Sequence, residues 1–459
     1  MQLRTYQLEA IQNAREALKK GQKRIILHAP TGAGKTLIAC EIIKSAVSKG
    51  KRVLFLAHRK ELIDQAVAKL DDAGIPLGII MRKHWRTNHQ APVQVASVQT
   101  LIRRQAGTFD LICVDETHLA LAKSYMDIIK QSPLAAVVGL TATPVRLDGR
   151  GLGEIYQQII PVRSVPELVK DGFLVPIVHY APKRPMLGGI SMSQGDYNAH
   201  ELEEAIDQPD LVGDIYAHWQ KLASDRQTII FCVSIEHSKN VTAQFQAKGV
   251  RFAHVDGTMP GWERDRIFED LASGALQGIS NVGICCEGYD NPSISCIVLA
   301  RPTKSLALFL QQAGRGLRPY PGKRDCIILD HAGCAYDPAL GLVDEIREWS
   351  LEGRKRKPKE AKDKIPTVKI CEKCFAAYAA TAGKCPQCGY ANPAQARELV
   401  EDKEGELSVV SAEEIAIHKS RRAEEREAKT LEDWMKIAQI RGYKPRWAHI
   451  RYNLRTGRR

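Results

Sequence analysis

Residues 29–36 read APTGAGKT, directly after the apolar run RIILHA and directly before TLIACEIIKSAV. A strand, a glycine-rich loop and a helix in that order are what a phosphate-binding loop requires. Gly32 and Gly34 let backbone N–H groups turn towards a phosphate, in a cradle running from Thr31 through Gly32, Ala33 and Gly34. The following helix adds the positive end of its dipole. Lys35 is placed to reach the β- and γ-phosphates of ATP, and Thr36 to hold Mg²⁺. The first position of the pattern is Ala29 rather than glycine. The bland reading is a glycine turn between a strand and a helix, and the GKT ending in this context argues against it.

Working outward, apolar β-type runs alternate with helical segments from residue 24 to 142: RIILHA, RVLFLA, VQVASV, LICVDE and AVVGLTA. Such alternation predicts a parallel sheet covered by helices. A second series, from PIVHY to DCIILD, predicts a second α/β unit. The expected division is 1–170 and 171–345, with KDGFLVP (170–176) as the hinge. A charged linker is expected at 346–366, a small cysteine module at 367–393 and a charged helical tail at 394–459. Residues 181–210 are polar and show no clear period.

A phosphate loop needs an acidic partner at the end of a neighbouring strand, and LICVDETH supplies one. Asp115 is assigned to the metal shell and Glu116 to the attacking water. An acidic pair of this kind can also cap a helix, and His118 can be structural. GLTATP (139–144) ends another strand with hydroxyls at Thr141 and Thr143.

The ordered set RTYQLEA, APTGAGKT, FLAHRKEL, SVQTL, VDETH, GLTATP, GYDNP and QQAGRGLRP resembles a superfamily 2 helicase of the DExH type, over residues 1 to about 330. The finer resemblance is to RadD-like bacterial DNA-repair ATPases, with a tail similar to those of phage or prophage relatives. The resemblance implies two tandem RecA-like P-loop domains with ATP between them, followed by a zinc ribbon and a basic helical tail. It assigns Arg4 and Gln7 to adenine, and Arg59 and Thr100 to the nucleic-acid backbone. Gly288 and Asp290 link the second domain to nucleotide and strand. Gln311, Arg315 and Arg318 form QxxGRxxR, whose arginines are suited to grip phosphate oxygens bidentately. DExH motifs do not separate DNA from RNA. An ATP-switched clamp and an RNA remodeller therefore stand beside a DNA translocase acting in repair, recombination or replication.

Twelve cysteines occur in the chain. Eight lie mostly in apolar runs, where Cys acts as a small buried hydrophobe. The other four give C-x2-C, ten residues, C-x2-C: Cys371, Cys374, Cys385 and Cys388. Two such knuckles suit a closed tetrahedral Zn²⁺ site. A ribbon this small serves to dock DNA, to dock a replication or repair protein, or to stiffen the chain.

The net charge is +13, from 66 basic and 53 acidic residues, which favours a polyanionic partner. Residues 441–459 carry seven Arg or Lys and no acid, interleaved with Tyr443, Trp447 and Tyr452. That pattern suits single-stranded or junction DNA as well as a helix docked on the motor. No apolar run reaches transmembrane length, the N-terminus lacks a signal-peptide core, and a cytoplasmic protein is expected.

Overall fold

The computed structural model describes residues 3–82, 84–104, 107–120, 122–146, 149–181, 192–193, 196–197, 209–286, 288–337, 339–353, 368–371, 376–379, 382–391, 428, 430–440, 448 and 452. They fall into two compact units, Met1–Asn392 and Pro393–Arg459.

The first unit holds two large sheets. The first comprises β1 (Arg24–His28), β2 (Val53–Ala57), β3 (Leu77–Ile80), β4 (Val93–Ser97), β5 (Leu111–Asp115), β6 (Ala136–Thr141) and β7 (Gln158–Pro161), in the order β3-β4-β2-β5-β6-β1-β7. Every pairing in it is parallel. Strands β2 to β5 are buried at every position, as uninterrupted apolar runs require when helices cover both faces. The helices are α1 (Thr5–Lys19), α2 (Lys35–Val47), α3 (Lys60–Asp72), α4 (Val98–Leu101), α5 (Lys123–Lys130) and α6 (Val165–Lys170). Because β5, β6 and β1 are adjacent and parallel, the loops leaving their carboxyl ends are neighbours, the usual place for a ligand in such sheets.

The second sheet follows a turn at 171–176. Its strands are β8 (Ile177–Tyr180), β11 (Thr228–Phe231), β12 (Phe252–Val255), β13 (Gly278–Asn281), β14 (Cys296–Leu299), β15 (Cys326–Asp330), β16 (Val368–Ile370) and β17 (Ala376–Ala379), in the order β12-β13-β11-β14-β15-β8-β17-β16. The first six in that order pair in parallel, whereas β17 is antiparallel to β8 and β16 to β17. A short antiparallel pair, β9 (Met192–Ser193) and β10 (Asp196–Tyr197), stands apart. The helices are α7 (Pro209–Ala223), α8 (Ile235–Ala247), α9 (Gly261–Ala272) and α10 (Leu306–Gly314). The two parallel-sheet α/β domains have the RecA-like arrangement expected from the sequence.

Two segments beyond the second sheet's parallel strands are packed onto the domains. Residues 346–353 pack back on the first α/β domain: Trp349 lies against His28 with ring centroids 5.1 Å apart, and Gly153 N donates to Leu351 O at 2.9 Å. Burial of these apolar side chains outweighs the charge of the segment. The cysteine strands extend the edge of the second sheet, and Cys371, Tyr378 and Cys385 share its core with Trp219 and Ile230.

In the second unit α11 (Leu431–Ile440) buries Trp434, Ile437 and Ala438 with Ala428, Ala448 and Tyr452. Tyr443 and Trp447 lie outside the described residues. Among the described residues, no helix is long and apolar enough to cross a membrane.

Candidate active site

The APTGAGKT loop leaves β1 and becomes the amino end of α2. Gly32 and Gly34 have φ of +89° and +79°, in the region only glycine occupies without strain. Space forbids a side chain there too. A Cβ at Gly34 would lie 2.5 Å from Gln7 Nε2, and one at Gly32 would lie 3.0 Å from Leu174 Cδ2 and 3.4 Å from Arg318 Cγ.

The amino end of α1 is built onto this loop. Tyr6 Oη and Gln7 Nε2 both donate to Ala33 O, at 3.0 and 3.2 Å, and Arg4 N donates to Gln7 Oε1 at 2.9 Å. The Arg4 guanidinium lies 4.5 Å from the Phe173 ring centroid, and Phe173 packs on Tyr6 at 5.2 Å. Arg4, Gln7 and the hinge thus form one wall beside the loop. Tyr6, within RTYQLEA, and Phe173 and Leu174, within KDGFLVP, are given no role by the sequence.

Lys35 Nζ donates to Ala29 O at 3.4 Å. Burial lowers its pKa, while the charges of Glu116 and Asp115 hold the proton on. Thr36 follows on the first turn of α2. Asp115 ends β5 and accepts from Glu116 N at 3.0 Å. Glu116, at φ +47°, is the only non-glycine residue at positive φ among the described residues. Such a conformation costs of order 1–3 kcal/mol, and here it turns a catalytic candidate into the cleft. His118 Nδ1 lies 3.3 Å from Glu116 Oε2. Burial pushes the Glu116 carboxyl up, but the hydrogen bond to His118 and the charges of Lys35, His118 and Arg315 outweigh it and lower it to about 2. Burial and the adjacent Glu116 charge push Asp115 the other way, upwards. Thr141 Oγ1 accepts from Thr143 N and donates to Thr143 O, both at 3.0 Å. This closes the GLTATP turn beside the loop.

The second α/β domain supplies the opposite wall. Gln311 Nε2 donates to Glu116 Oε2 at 3.4 Å. Gly314, the last residue of α10, faces the phosphate loop so closely that a Cβ there would lie 2.4 Å from Thr31 Cβ. The two arginines differ in placement. Arg315 is buried and forks onto its own domain, donating to Cys286 O and Tyr289 O at 2.7 Å each. Arg318 pairs with Asp290 and lies against Gly32. Arg318 lies along Gly32 of the loop, while Arg315 fixes the GYDNP turn that carries Asp290 and its charge acts on both Lys35 and Glu116.

Arg59 Nη1 donates to Gly283 O at 3.2 Å, and Gln65 Nε2 donates to Gly288 O. Gly288 has φ +76°, and its Cβ position lies 2.8 Å from Glu61 Cβ. The start of α3 thus meets the Gly283 and Gly288 turns of the second α/β domain. Thr100 is half-buried on α4, beyond Gln99, whose Nε2 donates to His58 O at 3.0 Å. It joins neither wall of the nucleotide cleft.

Cys371, Cys385 and Cys388 bring their sulfurs within 4.8 Å of one another. Three thiols converging so closely fit a zinc site. Cys374 lies outside the described residues.

Residues 1–146 match the family described as type III restriction enzyme, res subunit, and residues 208–319 match the helicase conserved C-terminal domain. A 51.5 kDa protein of a Lactococcus phage is 30% identical over 394 residues, covering 85% of this chain and 83% of its own. A Saccharomyces cerevisiae protein named as an ATP-dependent helicase, IRC3, is 31% identical over 364 residues. That match covers 74% of this chain but only 52% of the yeast protein, so the chain spans about half the length of this relative. A fragment of an HsdR subunit of a type I restriction enzyme from Vibrio vulnificus shares the fold, with a TM-score of 0.57 at 23% identity, over 72% of this chain and 64% of the fragment. With both α/β domains matched in order and the phosphate-loop, VDETH and QQAGRGLRP residues facing one cleft, the chain belongs to the superfamily 2 helicases.

Proposed function

We propose that this protein is a DNA-dependent ATPase that moves on or remodels DNA, hydrolysing ATP between its two α/β domains. The observation that carries the reading is the contact of Gln311 with Glu116, which joins the second domain to the residue positioned for the attacking water. A site completed from two bodies can cycle between open and closed states as nucleotide is bound, cleaved and released.

In this reading Lys35 and the amides of the glycine loop hold the β- and γ-phosphates, and Gln7 with Arg4 holds the base. Thr36 and Asp115 hold Mg²⁺, which neutralises phosphate charge when bound. The raised pKa of Asp115 suits a carboxylate whose counter-charge arrives with the substrate. Glu116, ionised throughout the physiological range, orients the water and accepts its proton, and His118 and Gln311 fix its carboxylate. Arg318 exchanges Asp290 for the γ-phosphate. Such arginines contribute roughly 10³–10⁵ in rate in related phosphoryl transfers. Arg315 acts by positioning.

The net charge of +13 supports a polyanionic track, and DNA is favoured because a structural relative, the restriction–modification enzyme LlaBIII, is described as bound to DNA. Zn²⁺ at the cysteine cluster, and a role in repair, recombination or replication, belong to the same proposal.

The test compares ATPase stimulation by single-stranded DNA, duplex DNA and RNA. DNA is expected to raise the rate, and Lys35→Ala and Arg318→Ala to abolish hydrolysis, the latter with ATP still bound. Stimulation by RNA alone overturns the DNA reading, and turnover surviving in Arg318→Ala overturns the cleft assignment.

A further inference from the structure

Parallel register places three segments in a row on the rim of the first sheet. β2, β4 and β3 are consecutive neighbours, with Ala57 opposite Ser97 and Ile80 opposite Ala96. Their carboxyl ends lead respectively to Arg59, to α4 with Thr100, and to the turn that follows β3. That third segment, MRKHWRTNH (81–89), has no assigned role. The chain folds straight back: Ile79 N donates to Arg86 O at 2.9 Å, so the reversal falls between 80 and 86 and its tip stands at the rim. With strands about 4.8 Å apart, it begins roughly 5 Å beyond the Thr100 strand and roughly 10 Å beyond that of Arg59.

The tip carries Trp85, whose side chain is 84% exposed. A lone exposed aromatic is ordinary, but this one is presented by a pinned turn. His84 N donates to Met81 O at 3.2 Å, Arg86 N to His84 Nδ1 at 3.1 Å, and Thr87 Oγ1 to His84 O at 2.9 Å. Arg86 is anchored on α3 by two bonds to Asp71, at 2.6 and 2.8 Å. Gln94 of β4 donates to Asn88 O at 2.9 Å. His84 lies nearly parallel to the indole, 6.1 Å away at 18°, and the Arg86 guanidinium is 5.9 Å from its centroid. A ring carried on a pinned backbone, beside a nearly parallel imidazole, leaves a face open for a base to cover.

The sequence that follows α3 is basic, with Arg86 paired to Asp71. From residue 73 to 109 the chain contains Arg82, Lys83, Arg86, Arg103 and Arg104 and no Asp or Glu. Arg103 and Arg104, just past α4, are exposed. Aromatic faces set among cations along a groove are what unpaired bases require.

We propose that Trp85 is a base-stacking position for single-stranded nucleic acid, extending the track of Arg59 and Thr100 by one strand at the outer edge of the first α/β domain. This rests on the reading of the protein as a nucleic-acid-dependent ATPase.

The experiment measures binding of the full chain to fluorescent dT20 and rU20 over a series of salt concentrations, with Trp85→Ala and Trp85→Phe. Trp85→Ala should weaken binding about 5- to 150-fold, leave the salt slope unchanged because no phosphate contact is lost, and raise the dT20 concentration for half-maximal ATPase by the same factor. The basal and saturated rates should stay at wild type, and Trp85→Phe should recover most of the affinity. Loss on both oligonucleotides or on one supports stacking and identifies the strand chemistry recognised. Wild-type binding with Trp85→Ala equally tight overturns the stacking site alone, as does an altered salt slope. A wild-type chain that binds neither oligonucleotide overturns the ATPase-on-nucleic-acid reading and the stacking site with it.

Discussion

Gln311 and Glu116, 195 residues apart, meet with Nε2 and Oε2 3.4 Å from each other in the cleft. Both are buried, so the bond is shielded from water and charge-assisted. It ties closure of the cleft to the orientation of a carboxylate that His118 holds from the other side. Removing a partner of a charged group costs about 1.5–3 kcal/mol. Gln311→Ala should therefore lower kcat roughly 10- to 150-fold with little change in ATP affinity. Steady-state kinetics beside equilibrium nucleotide binding checks this. Equal loss in both quantities contradicts it.

Gly314 gives a second test of closure. It is helical and needs no positive φ, and alanine in a helix is favoured over glycine by about 1 kcal/mol. Yet its added Cβ would lie 2.4 Å from Thr31 Cβ. Gly314→Ala should keep the melting temperature and lose most ATPase, read by calorimetry and a phosphate-release assay on the same preparation. An active variant would show that α10 need not approach the phosphate loop in turnover.

The cysteine strands predict where metal loss is felt. Because β17 pairs with β8 and Cys371 and Cys385 lie in the core of the second sheet, stripping Zn²⁺ should destabilise that domain as well as the cysteine segment. Metal analysis should find one zinc per chain. Chelation or Cys385→Ser should then lower the melting temperature by several degrees and deprotect β8 amides in hydrogen exchange. Protection of β8 unchanged after metal removal would mean that the strands hold without it.

Two half-buried histidines set a pH dependence. Burial lowers His28 to about 4, with the nearby Lys35 charge lowering it further and a hydrogen bond to Ala142 O opposing. Burial, then repulsion from His218, lowers His331 to about 4. Both stay neutral when folded and take up protons near pH 6.5 when unfolded. Through these two groups the unfolded chain binds more protons between pH 4 and 6.5, so stability falls as pH drops through that window, while the raised Asp115 acts in the opposite sense and offsets part of the fall. Each histidine contributes up to about 1.4 kcal/mol per pH unit. Melting temperatures across pH 4–7 should show the decline, and His331→Phe should flatten it.

Much of the site was legible in advance because its signals are local. Strand, glycine loop and helix are contiguous at 24–47, and the acidic pair ends an apolar run at Asp115. The spacing of the cysteines likewise states its own chemistry. What was not legible depends on residues distant in sequence. Phe173 and Leu174 look like any apolar pair in a hinge, and their packing on Tyr6 and Gly32 follows only from the chain reversal after α6. Trp349 sits in a charged stretch, and its packing against His28 follows from the path of the chain beyond β15.

The sequence by itself determined the two parallel-sheet α/β domains, the phosphate loop and the family, because burial period, glycine placement and motif order are properties of short segments. Only the tertiary structure decided that Arg315 and Arg318 are placed differently. They lie three residues apart in one motif, and the sequence treats them alike. In the folded chain Arg315 turns inward to satisfy the carbonyls of Cys286 and Tyr289, while Arg318 lies against Gly32 of the opposite domain. The reason is that a buried guanidinium settles where acceptors lie within reach, and the two carbonyls that receive the terminal amines of Arg315 are brought there by the packing of distant loops.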